Sequence, residues 1–148
     1  MGMVEELATH VDANSTRATI GTTLFANDLP HSTRATMAIM ETPGGPPGQH
    51  FGDNDLPGWE RPSVMFVART TAPASGTTVP VPTNARRLLQ DAFTIVQRIA
   101  NENVGSTAVG TSYYLRIEPA QSPYLTRIED DGRQVFAFNA SVWRTPST

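Results

Sequence analysis

The sequence predicts an α+β fold: a mostly antiparallel (mixed) β-sheet with a long α-helix packed on one face, plus a short N-terminal helix. Three observations carry that expectation. Ala85, Leu88, Leu89, Ala92, Ile95, Val96 and Ile99 recur at helical spacing and form one continuous apolar stripe. Tyr113, Leu115 and Ile117 alternate with Tyr114, Arg116 and Glu118, as on a strand with a buried and a wetter face. Asp130-Asp131-Gly132-Arg133 separates the strand-like runs 124–129 and 134–143, and Asp-Gly is a strong hairpin signal.

The remaining elements follow in chain order. Val4, Leu7, Ala8 and Val11 lie on one side of a helix of about three turns, too short to persist without docking. Thr16 to Asn27, rich in Thr, Ala and Ile, reads as a strand or extended segment closed by the turn Asn27-Asp28-Leu29-Pro30. Arg34 to Glu41 is a second strand. It stops at Thr42-Pro43-Gly44-Gly45-Pro46-Pro47-Gly48, where prolines lack the backbone donor and glycines add conformational freedom. From 42 to 61 the chain is a Pro/Gly-rich loop, and a structureless stretch of that length in a compact domain is functional or disordered. It is read as a partner-binding loop.

After Pro62, Val64, Phe66 and Ala68 face one way and Met65, Val67 and Arg69 the other. Both sets are mostly apolar, the pattern of a central strand covered on both sides. The helix is expected over 85 to 102, with Thr83 or Asn84 as N-cap, Arg87 and Asp91 at a favourable four-residue spacing, and Asn103 or Gly105 as its end. Gly105 to Gly110 has the outer glycines of a phosphate loop but no lysine follows, so it reads as a flexible linker between helix and strand.

Composition bounds the function. A chain of 148 residues fits one domain, 1–148, with a single core. It has no cysteine, which excludes disulfides, thiol catalysis and thiolate metal sites. A net charge of -3 is not the electrostatic footprint of a free nucleic-acid binder. The apolar stretches fall well short of a membrane span, and the N-terminus lacks the basic-then-apolar order of a signal peptide. Gly2 stands in the myristoylation position, but Glu6 occupies the place where that signal needs Ser or Thr.

Convergent chemistry is missing from the sequence. His10, His31 and His50 are far apart, with no two at helical metal spacing. Asp53 and Asp55 flank Asn54 in a turn without the glutamate of a calcium loop, and no Gly-x-Ser-x-Gly elbow is present. The reading is therefore non-enzymatic, with no catalytic, cofactor or metal residues. Interface candidates, by exposure and reach, are His50, Phe51 and Trp59 in the long loop and Tyr124, Arg127, Asp130, Asp131 and Arg133 in the C-terminal hairpin.

The order of these elements resembles a bacteriophage minor capsid family that includes the tail terminators of long-tailed phages. The likeness rests on the N-terminal helix, Leu24-Phe25 before Leu29-Pro30, the Ile39-to-Gly45 break, the Arg61-to-Arg69 strand, the helix from Ala85 to Ile99 and the Asp131-to-Asn139 strand. It implies a virion protein, assembled in the host cytoplasm as a homo-hexameric ring at the head-proximal end of the tail tube. Its partners would be itself, the tail tube protein and a head-completion or neck protein. DNA would pass through the channel without specific binding, and neither cofactor nor membrane would be involved. Another head-tail connector is the alternative, and a small cytosolic enzyme or ligand-binding domain with the loop as a lid is a further one.

Overall fold

The computed structural model describes residues 2–30, 34–43, 60–71, 83–106 and 108–145. Its elements are α1 (Met3–Asn14), β1 (Leu24–Ala26), β2 (Thr36–Thr42), β3 (Ser63–Arg69), α2 (Thr83–Gln97), β4 (Ala100–Ser106), β5 (Gly110–Pro119), β6 (Tyr124–Ile128) and β7 (Gln134–Arg144). All seven strands join one sheet in the order β1-β2-β3-β7-β5-β4, with β6 also on β7. Every pairing is antiparallel except β1 with β2, so the expected α+β mixed sheet is present.

Register explains why β7 has three strand neighbours. Pro119 pairs with Ala140 and Tyr124 with Ala137, so β5 and β6 run end to end along one side of β7. β3 lies along the other side, from Ser63 opposite Ser141 to Arg69 opposite Val135. At the end of the sheet where β7 begins, the order is therefore β1-β2-β3-β7-β6, with β1 and β6 as the two lateral margins.

Both helices pack on the same face. Val4, Leu7, Ala8 and Val11 of α1 and Leu88, Leu89, Ala92, Ile95 and Val96 of α2 share one core with Met37, Ile39, Val64, Phe66 and Phe138. Phe66 stacks on Phe138 at 4.6 Å between centroids, and Phe93 meets the Phe138 edge at 5.2 Å. Offset and edge-on contacts of this kind add to area burial. The reverse face carries a smaller cluster of Ala38, Val67, Val135 and Ala137, with Leu29, Met40 and Met65 against it. β3 is thus central and apolar on both sides, as its sequence predicts.

Several expectations need correction. The helix ends at Gln97, not near 102, because Ala100–Ser106 forms β4 instead. At 15 residues α2 is little longer than the 12 of α1. Gly105 to Gly110 is not a linker from helix to strand but the hairpin between β4 and β5. Gly105 has φ +123°, and a Cβ there would stand 2.0 Å from the Gly110 carbonyl oxygen, so backbone approach demands glycine.

Along β5 the alternation is reversed. Tyr114 is fully buried whereas Tyr113 is exposed, and an irregularity between Tyr114 and Arg116 resets the pleat so that Ile117 is buried as well. Finally, of Thr16 to Asn27 only Leu24–Ala26 is strand. The preceding residues form a turn in which Gly21 N donates to Leu24 O and Leu24 N to Thr19 O, and Asn27 closes the strand at φ 67°. The Thr83 or Asn84 cap falls away too: the helix begins at Thr83, so its cap lies outside the described residues.

Candidate functional site

The β6–β7 hairpin gathers the part of the candidate set that lies among the described residues. Its tip is built by the turn 129–132, closed by Glu129 N donating to Arg133 O and Gly132 N to Glu129 O. Gly132 takes φ 87°, the left-handed conformation that the Asp-Gly pair makes cheap. Arg69 reaches from the end of β3 to Glu129 in a 2.7 Å ion pair and donates to Pro30 O at 2.9 Å. Arg133 pairs with Asp131 at 3.2 Å. Together with Asp130 these side chains line a recess of about 290 Å³.

Within that recess two acids are matched to arginines, and the exposed Asp130 carries no such pairing. Tyr124, Leu125 and Ile128 are 42%, 45% and 62% exposed, three of the five large apolar side chains that reach solvent among the described residues. Among the described residues β6 pairs only with β7, and Arg127 is its one charge. An open edge bearing apolar side chains is a ready docking margin.

A second recess, of about 380 Å³, opens at the same end of the sheet beside β1. Arg17, Thr23, Arg34, Thr71 and Asn84 supply its polar wall, and Ala35 and Leu88 its apolar floor. No carboxylate is among the described residues that line it. Arg86 and Arg87 follow in the first turn of α2, which has no acidic residue to complement the helix dipole.

Sequence reasoning missed the third feature entirely. Glu6 is 2% exposed and accepts hydrogen bonds from Ser112 Oγ at 2.8 Å, Tyr114 Oη at 2.8 Å and Arg144 Nη1 at 3.1 Å. Arg144 Nε turns to Glu60 at 3.1 Å. Burial, followed by the Glu6 charge, pushes the Tyr114 phenol well above its ordinary value, so it stays a donor. The only signals were a charge beside the apolar face of α1 and an arginine ending an apolar strand. This network ties α1, β5 and β7 to the residue where the chain re-enters the sheet.

Other candidates are placed as follows. His50, Phe51 and Trp59, with His31, Asp53 and Asp55, lie outside the described residues. Half-buried His10 sits on α1, where desolvation lowers its pKa and Glu102 opposes that shift. Trp143 is half-buried on β7, with the Arg61 and Arg116 guanidinium groups 4.7 and 5.4 Å from its ring. Among the described residues no cluster of three metal-ligating side chains occurs, and no helix is long and apolar enough to cross a membrane. No protein-family model matches the chain, and no curated protein is significantly similar to it.

Proposed function

We propose that this chain is a structural virion protein, a tail terminator that closes into a ring, six-membered in the form the resemblance implies, at the head-proximal end of a phage tail tube. The ring ends tube growth, joins the tube to the head-completion protein and leaves a channel for DNA. The observation that carries the reading is β6, an exposed strand at the margin of the sheet that presents Tyr124, Leu125 and Ile128 to solvent. A large exposed apolar margin marks an interaction surface, and a cyclic assembly needs two different, mutually complementary surfaces on each subunit.

Electrostatics supports the same role. A subunit of net charge -3 does not hold sliding DNA by phosphate contacts. The buried Glu6–Arg144 network supports it as well, since it fixes the terminal strand on which β6 pairs. The test is negative-stain microscopy of particles assembled with this gene silenced. Overlong or headless tails are the expected result; infectious particles with tails of normal length would refute the role.

A further inference from the structure

Where the chain re-enters the sheet, three successive residues each hold one residue at the end of β7. Glu60 N donates to Arg144 O at 2.8 Å, Arg144 N donates to Glu60 O at 3.2 Å, and the Glu60 carboxylate accepts from Arg144 Nε at 3.1 Å. Arg61 lays its guanidinium 4.7 Å from the centre of the Trp143 ring. Pro62 O accepts from Val142 N at 2.9 Å. Residues 60–62 thus form a strap that continues the line of β3 upstream of the Ser63–Ser141 pair.

β3 itself lies between β2 and β7, but its pairing with β2 stops at Thr42 opposite Ser63. Among the described residues the strap therefore has β7 as its one strand neighbour. Proline has no backbone N–H, so Pro62 gives nothing back to Val142 and the ladder lacks a bond there. Arg144 decides what release costs. Its side chain is 9% exposed and grips two carboxylates of unequal burial, Glu6 at 2% exposure and Glu60 at 39%. Letting go of Glu6 would strand a charge out of water. Letting go of Glu60 returns a partly exposed carboxylate to solvent, a small loss, and leaves Arg144 paired.

We infer that residues 60–62 are a releasable strap, which opens from β7 as one unit while the sheet and the Glu6–Arg144 pair stay intact. Opening breaks three backbone hydrogen bonds, one half-exposed ion pair and the Arg61 contact, and none of the three strap residues belongs to the core. It is a local event, far short of unfolding. Its product is specific. The Trp143 ring loses Arg61 but keeps Arg116 at 5.4 Å, and the N–H groups of Val142 and Arg144 with the C=O of Arg144 become a free strand edge. The strap is thus a cover over the end of β7, fastened by Glu60. The inference does not depend on the ring reading.

The test is amide hydrogen exchange of the full-length chain followed by NMR, with and without low urea. The Glu60, Val142 and Arg144 amides should exchange at matched protection and faster than those of Phe66 and Phe138, which pair within the same ladder. Low urea should not speed them, because opening exposes little surface. Glu60→Gln should speed all three about fivefold, the worth of a half-exposed ion pair, and leave the Phe66 and Phe138 amides and the urea midpoint in place. Glu6→Gln should lower the midpoint instead. Strap amides that exchange only together with Phe66 and Phe138 would make 60–62 part of the core and overturn the inference. Fast exchange of Glu60 and Arg144 with Val142 as protected as Phe138 would mean fraying of the terminal pair, and would overturn it too. The unmodified protein decides both of these outcomes. A midpoint that falls as far in Glu60→Gln as in Glu6→Gln would also overturn it, since Arg144 would then depend on both carboxylates alike.

Discussion

Glu6 shows how much one residue holds here. Its carboxylate is removed from water and depends on three donors, of which Arg144 is the only cation. Breaking a buried pair from one side leaves an uncompensated charge, so Arg144→Met is expected to cost about 3–5 kcal/mol in urea denaturation. Adding Glu6→Gln to it should cost less than the sum of the two single changes, because they share one interaction. Tyr114 gives a pH signature. Its phenol pKa is raised, so above 10.0 the unfolded chain loses that proton first and stability falls as pH rises. Tyr114→Phe should flatten that alkaline limb in melts across pH 9 to 11.

His10 acts at the other end of the scale. Its folded pKa lies below 6.5, so the unfolded chain binds the proton first as pH falls. Stability is full above 6.5 and declines below it, and His10→Gln should reduce that acid slope. None of the Glu6 network was legible in the sequence, because its partners stand 106, 108 and 138 residues away. Periodicity reads faces, not pairings across such distances.

At the scale of elements, what was legible had strong local pattern. The α2 stripe, the two-sided apolar β3 and the Asp-Gly hairpin all reappear because burial on one or both faces writes itself into spacing. β4 was invisible for the opposite reason. Ala-Asn-Glu-Asn-Val-Gly-Ser buries only Val104 fully, so neither alternation nor an apolar run marks it, and a helix end seemed natural. Its existence depends on the Gly105–Gly110 turn. Gly105→Ala should therefore destabilise by more than the roughly 1–3 kcal/mol of backbone strain alone, since its Cβ would strike the Gly110 carbonyl. Gly110→Ala meets nothing within 4 Å and should cost only the strain. Denaturant midpoints of the two variants compare them directly. The β5 error has a similar origin, for an irregularity of one residue flips every side chain beyond it.

At the scale of the whole molecule, the sheet has a covered face, a partly covered reverse and margins formed by β1, β4 and β6. Its interior is committed to packing, so substitutions there should act on stability; Phe138→Ala, which removes the ring between Phe66 and Phe93, should cost about 3–5 kcal/mol. The margins carry exposed apolar side chains, Ile20 beside β1 and Tyr124, Leu125 and Ile128 on β6. The exposure of Tyr124, Arg127, Asp130 and Asp131 was legible because turn chemistry announces a tip, whereas Arg133, expected exposed too, is largely covered with its side chain against Asp131. The recess lined by Arg17 and Arg34 was not legible, since its lining comes from four separate stretches of chain, 17–23, 34–35, 71 and 84–88.

The central claim of the ring account is tested most directly by native mass spectrometry of the purified chain, with negative-stain images of the same sample. A single closed species of six copies around an open channel is the predicted result. A monomer persisting up to high protein concentration would contradict the account.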